Sequence, residues 1–257
     1  MGHRPSRSLK HEYELFVERE IENYKESVPR SALLAIGDEA VAALASQSQL
    51  ALTELLLCEE VDRIIRARLR LPAYQGWRRR RLKELEQLRR PEYWGLTPDH
   101  VLVRELRPTA ESRVLVAGMA AGESALFLAA NGCDVTAVDE EIETLRRVLD
   151  AAEAVGLADR IQGTAGGLSA WTPGEPLFAV VCSADALAAL SRPERERVFE
   201  VLKSATRDGG VHLVEAIALG ANAPSLDELR TRYSGWSVSV ERSDDGPTTF
   251  LARKAVA

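Results

Sequence analysis

No apolar run in this chain of 257 residues approaches the roughly 20 residues that a membrane-spanning helix requires. The densest, LALTELLLC at 50–58, is short and interrupted by polar side chains. The opening MGHRPSRSLKHEYELF is charged and holds no apolar segment of the kind a secretory signal carries. Three cysteines, Cys58, Cys133 and Cys182, are odd in number, widely spaced and form no CxxC pair. That argues against a disulfide framework and against a bound metal, and makes a reducing cytoplasm the expected location. The chain also has no internal repeat and no low-complexity segment.

What is present is ordinary for a globular protein with a sizeable core: 46% hydrophobic and 28% charged residues. The net charge of −6 is unevenly spread. Residues 1–109 carry 19 Lys and Arg against 17 Asp and Glu, a net of +2, and residues 110–257 carry 14 against 22, a net of −8. This balance argues against nonspecific nucleic-acid binding by the whole chain. The exception to watch is the basic stretch RIIRARLRLPAYQGWRRRRLKELEQLRR at 63–90, whose interspersed acids Glu84 and Glu86 favour solvated helix faces.

Residues 1–10 are expected to be disordered, and a charged, exposed helix is expected from about Glu12 to Lys25. Asp38 is the expected cap of a long amphipathic helix carrying Val41, Leu44, Leu52, Leu55, Leu56, Ile64 and Ile65 at helical spacing. Pro72 and Gly76 should break it, with a basic helix following from about Trp77 to Arg90. Thr97-Pro98 reads as the start of a short helix that Pro108 ends. From Arg113 onward the pattern alternates. RVLVAG, DVTAVD, LFAVVCS and GVHLVEA are buried-strand runs, RIQGT is a weaker one, and helical segments lie between them. Ser191 and Glu194 form a capping box for the helix at SRPERERVFEVLKSATRDGG, with Gly209-Gly210 as its expected stop. GWSVSVERSDDGPTTFLARK reads as a closing antiparallel hairpin. The expected architecture is a doubly wound α/β domain over 97–257, preceded by a helical extension over 1–96.

The stretch RVLVAGMAAGESALFLAANGCDVTAVDE at 113–140 combines strand, glycine turn, helix and a second strand ending on an acid. Glycines at 118 and 122 permit unusual backbone angles and close ligand approach. Asp139 follows Gly118 by 21 residues, about the spacing at which an acid reaches ribose hydroxyls. A dinucleotide fingerprint would need glycines where Ala120 and Glu123 stand, and a carboxylate beside a pyrophosphate is repulsive. A cationic, phosphate-free nucleoside suits an acidic rim better, and S-adenosylmethionine is such a ligand.

On these residues the chain resembles the class I S-adenosylmethionine-dependent methyltransferases over roughly 97–254. VLVAGMAAGESALFLAANGCDVTAVDEE resembles their glycine motif and ribose-binding strand. LFAVVCSADALAAL resembles the fourth strand and the loop after it. ERVFEVLKSATRDGGVHLVE and the hairpin ending FLARK resemble the remaining helix and strands. The resemblance implies a mostly parallel seven-stranded sheet whose final strand is antiparallel. It also implies S-adenosyl-L-methionine as cofactor, with Gly118, Ala120 and Gly122 facing its methionine part and Asp139 its ribose. Glu140 and Thr164 would be secondary contacts. The sequence departs from the family where Val116 replaces an acid, Ala120 a glycine, Thr164 an acid near the adenine and Ala179 the acid opening the fourth strand.

Methyl transfer depends largely on alignment of nucleophile and methyl carbon, so a dedicated base is optional. Asp185, after the fourth strand, and Glu215, late in the fifth, are the candidates for the substrate end. His212 is expected to pack inside the sheet, His100 to lie at the surface, and Tyr93 and Trp94 to pin a linker onto the domain. No Asn/Asp-Pro-Pro-Tyr/Phe element follows the fourth strand, which argues against nucleic-acid N-methylation. The expected partner is a small molecule with an oxygen or nitrogen nucleophile, and the N-terminal helices offer a lid or a homodimer surface. Two alternatives stand beside this reading: a noncatalytic scaffold, motivated by Val116 and Ala120, and an RNA or protein methyltransferase docking through Arg78–Arg81.

Overall fold

The computed structural model describes residues 8–45, 54–106, 112–118, 122–217, 222–242 and 248–256. The chain divides into two units, Met1–Glu84 and Leu85–Ala257.

In the first unit Ser8 caps α1 (Leu9–Ser27), its side chain accepting from the His11 amide at 3.2 Å. A helix therefore starts within the stretch expected to be disordered, because the Ser8 hydroxyl caps it; residues 1–7 lie outside the described residues. Tyr13 and Ile21 bury one edge of this otherwise charged helix. The expected cap at Asp38 does not form: α2 (Arg30–Ala45) runs through it. Pro29 opens that helix, its carbonyl accepting from the amides of Ala32 and Leu33, and the SALLAI run propagates it. α3 (Glu54–Leu69) carries the later part of the expected long helix, and residues 46–53 lie outside the described residues. Ile36 and Ala40 of α2 pack on Ile64 and Ile65 of α3, while Lys25 pairs with Asp62 at 2.8 Å. The chain turns through Arg70, at φ 51°, and Pro72. α4 (Tyr74–Leu88) then begins earlier than expected, taking Gly76 into its first turn because the Ala73 carbonyl accepts from both Gly76 and Trp77.

In the second unit a 3-10 turn at Pro91–Trp94 precedes α5 (Val101–Glu105). Of the aromatic pair, Tyr93 is exposed and Trp94 does the pinning, buried with its Nε1–H donated to the Leu88 carbonyl at 2.7 Å. The cap of α5 is His100, not Thr97. The Thr97 side chain is held by the Asp99 carboxylate instead, and His100 Nδ1 accepts the Leu102 amide at 3.3 Å. Pro108 lies outside the described residues.

The remaining elements alternate as β1 (Arg113–Ala117), α6 (Glu123–Ala130), β2 (Asp134–Asp139), α7 (Ile142–Ala154), β3 (Ile161–Ala165), β4 (Leu177–Ser183), α8 (Ala184–Ala188), α9 (Arg192–Ala205), β5 (Thr206–Ile217), α10 (Leu226–Arg232), β6 (Ser237–Arg242) and β7 (Thr248–Arg253). They build a seven-stranded sheet in the order β3-β2-β1-β4-β5-β7-β6. The pairs from β3 to β5 are parallel, and β7 runs antiparallel to both neighbours. The fold is thus the doubly wound, mostly parallel sheet with a closing antiparallel pair that the pattern implies; residues 243–247, which hold the DDG of the hairpin, lie outside the described residues.

Alternation along β1 assigns its side chains to two cores, as the pleat requires. Val114 and Val116 pack with Phe127, Leu128, Leu145 and Val148 of α6 and α7. Leu115 and Ala117 pack on the other face with Leu187, Phe199, Leu202 and Tyr233. The capping box of Ser191 and Glu194 forms at the start of α9. The double glycine is not the stop of that helix, which ends at Ala205. Gly209 and Gly210 lie inside β5, where the register against β4 shifts between Leu177 and Ala179. A Cβ on Gly210 would stand 2.7 Å from the Arg207 carbonyl oxygen and 3.0 Å from that of Phe178. Close backbone approach, rather than helix termination, requires glycine here.

His212 is buried in β5, as expected. The Thr206 hydroxyl donates to the Leu202 carbonyl at 2.7 Å, so it accepts from His212 Nε2 at 2.6 Å. Nδ1 is then left to accept from the Tyr233 hydroxyl at 2.7 Å. Burial, reinforced by Lys203 and Lys254, pushes the imidazole down from 6.5 to about 3. Below pH 6.5 the unfolded chain therefore binds a proton that the folded chain refuses. The stabilisation from a neutral His212 is complete above the unfolded value and is lost as pH falls toward about 3. Urea midpoints measured across that window should fall with acid, and His212→Gln should show a shallower fall. An unchanged slope would contradict the linkage.

Candidate functional site

Helices leave β1 and β4 toward opposite faces of the sheet, so a crevice opens beyond their carboxyl ends; in doubly wound sheets that is where ligands bind. Gly118 stands at its floor. Its amide donates to the Val138 carbonyl at 3.1 Å, tying it to the end of β2, and its φ is 73°. A Cβ there would overlap the Ser183 hydroxyl and come within 2.6 Å of Ala186 Cβ. The turn is thus pressed onto the end of β4 with no room for a side chain. Gly122 takes φ 75° at the start of α6, and a Cβ on it would overlap Val148 of α7. Ala120, the other expected turn contact, lies outside the described residues.

Asp139 ends β2 beside Gly118, partly buried, with Oδ1 accepting the Glu141 amide at 2.8 Å. Glu140 is exposed and leans over Gly167, its Oε1 lying 2.8 Å from where a Cβ on that glycine would stand. Thr164 is exposed on the edge strand β3, paired in register with Val138. It is separated from the switch point by β2, so it belongs to the outer wall. Val116 points into the α6–α7 core at 3% exposure.

On the other side of the crevice, Asp185 is exposed in the first turn of α8. Glu215 pairs in register with Ser183 late in β5. Its Oε1 is buried without a hydrogen-bond partner among the described residues. Burial raises the carboxyl from 4.5 to about 7, with Glu123 adding to the rise and a hydrogen bond from Ser124 opposing it. A carboxyl raised toward neutrality in this way can accept a proton near neutral pH.

The structure brings a further residue to this side. His100, expected at the surface, is only partly exposed, and its Nε2 stands 3.9 Å from Glu215 Oε1. Nothing in the local sequence places a helix cap beside a strand 115 residues further on. The available signal was the connector's position just ahead of β1. Among the described residues no group of three or more His, Cys, Asp and Glu could hold a metal ion, and no helix is long and apolar enough to cross a membrane. Cys133 and Cys182 are buried thiols, both pushed up to about 12 by burial, which leaves them inert.

The sheet order, the glycine turn after β1 and the acid ending β2 together define a doubly wound α/β domain. Residues 114–210 match the family model described as "Methyltransferase domain". Among solved structures, TehB from Haemophilus influenzae superposes with a TM-score of 0.52 at 20% identity, covering 63% of this chain and 65% of its own, so the match spans just under two thirds of TehB. The [4+2]-cyclase SpnF gives 0.51 at 15% identity, covering 61% and 79%. The N-methyltransferase NodS from Bradyrhizobium japonicum gives 0.48 at 15%, covering 62% and 100%. No curated protein matches the chain by sequence. At these identities the likeness is one of fold, and a fold shared with a protein named as a cyclase does not by itself fix a reaction.

Proposed function

We propose that the chain is an S-adenosylmethionine-dependent methyltransferase acting on an oxygen or nitrogen nucleophile of a small molecule. The observation that carries this reading is the placement of Gly118, tied by its amide to the end of β2 and pressed onto the end of β4, with Asp139 beside it at the switch point. The groups around the crevice suit S-adenosylmethionine: Asp139 for ribose hydroxyls, a side-chain-free turn at Gly118 and Gly122 for the methionine part, and carboxylates rather than cations facing a sulfonium. Glu140 and Thr164 would contribute from the outer wall. When bound, the cofactor supplies an electrophilic methyl group whose carbon–sulfur electron pair stays with sulfur.

The chain's own residues hold and orient. Glu215 and Asp185 would line the acceptor's side, with Glu215 Oε1 the buried oxygen able to take a proton from the incoming nucleophile. The test is incubation with methyl-labelled S-adenosylmethionine and separate pools of amines, phenols and aliphatic alcohols, followed by mass spectrometry. One labelled methyl on a nitrogen or oxygen acceptor is the expected result. Label transfer only to carbon acceptors, or none in any pool despite cofactor binding, would oppose the reading.

A further inference from the structure

We propose that His100 is a positioning residue for Glu215: it caps α5 through Nδ1 and thereby aims its Nε2–H at Glu215 Oε1, fixing the carboxylate that receives the acceptor's proton. The inference rests on the methyltransferase reading above and extends it to a residue outside the strand ends.

The geometry sets the tautomer. Nδ1 accepts the Leu102 amide at 3.3 Å, so in the neutral ring the proton sits on Nε2. That nitrogen lies 3.9 Å from Glu215 Oε1, beyond a hydrogen bond but within the range over which catalytic pairs tighten when a site fills. The facing oxygen is buried and has no partner among the described residues, so this N–H is the donor placed to meet it. Ser124 of α6 hydrogen-bonds the same carboxylate. Around Glu215 stand Glu123 and Ser124 from α6, Cys182 and Ser183 from β4 and His100 from α5; around His100 stand Asp99, Arg104 and Glu241. Burial lowers the imidazole's affinity for a second proton while Asp99 and Glu241 oppose that. The ring thus stays neutral near pH 7 and acts as a donor, and Glu215 is the acceptor. In the step itself the acceptor's X–H bond breaks, the proton goes to Glu215 Oε1, and the pair left on X is the nucleophile.

A donor that favours the charged carboxylate lowers its pKa, and the carboxylate in turn favours the protonated ring, so the two titrations must be coupled in both directions. The experiment is a pH titration by NMR of glutamate-carboxyl-labelled and histidine-labelled protein with S-adenosylhomocysteine present. Wild type is compared with His100→Asn and Glu215→Gln. Asparagine can still cap α5 through its side-chain oxygen, so this variant removes Nε2 without removing the cap. The Glu215 titration should move to higher pH in His100→Asn, and the His100 titration should move lower in Glu215→Gln, with S-adenosylhomocysteine affinity within about twofold of wild type in both variants; equal affinities correspond to an unchanged binding free energy. Titrations that do not move while the ligand binds normally would overturn the pairing alone. Failure of wild type to bind S-adenosylhomocysteine would overturn the functional reading and this inference with it.

Discussion

Gly118→Ala is expected to destabilise the chain by about 3 kcal/mol. A residue with a Cβ in the left-handed region costs roughly 1–2 kcal/mol, and forcing an extra methyl into a packed site costs typically another 1–3 kcal/mol. Both apply here. The backbone takes φ 73°, and the new methyl would overlap the Ser183 hydroxyl and crowd Ala186 at 2.6 Å. Relief would require moving the start of α8, whose cap is that same Ser183, accepting from the Ala186 amide at 3.1 Å. Urea denaturation should record the loss. The double variant Gly118→Ala, Ser183→Gly should recover part of it, because one of the two obstructions is gone and the sites touch. A Gly118→Ala variant within 0.5 kcal/mol of wild type, the ordinary range for an unconstrained surface site, would show that the turn is not held as described.

Asp139→Ala is expected to weaken S-adenosylhomocysteine binding about a hundredfold while leaving the urea midpoint nearly unchanged. Hydrogen bonds to a charged group contribute about 1.5–3 kcal/mol each, and two ribose hydroxyls on one carboxylate give at least two tenfold steps. The Asp139 side chain belongs to neither hydrophobic core of the sheet. It is partly exposed at the end of β2, and its Oδ1 bond to the Glu141 amide at 2.8 Å is local. Isothermal titration of the variant against wild type separates the two effects. Equal affinity in both proteins would remove Asp139 from the site.

The parallel strands were legible because each is a short, nearly continuous apolar run, and β2 and β4 match their sequence patterns residue for residue. The cap of α9 was legible for a similar reason: both halves of the Ser191–Glu194 box are local. Misreadings fell where a local signal met a competing partner. Asp38 looks like a cap, yet Pro29 starts the helix earlier. Thr97 looks like a cap, yet its side chain goes to Asp99 and leaves the role to His100. Gly209-Gly210 looks like a helix stop, but both lie inside β5, where Gly210 approaches the backbone of Arg207 and Phe178. In the crevice, the positions of Gly118 and Asp139 follow from order along the chain. The meeting of His100 and Glu215 does not, since it depends on how α5 packs beside β5, and no spacing rule spans that distance.

The central claim is that the crevice at Gly118 and Asp139 is a cradle for a phosphate-free nucleoside rather than for a dinucleotide. Calorimetry of the intact chain with S-adenosylhomocysteine and, separately, with NAD tests it most directly. One-to-one binding of S-adenosylhomocysteine at micromolar concentration, with no heat from NAD, is the predicted result. No binding of S-adenosylhomocysteine at millimolar concentration, or tighter binding of NAD, would contradict it.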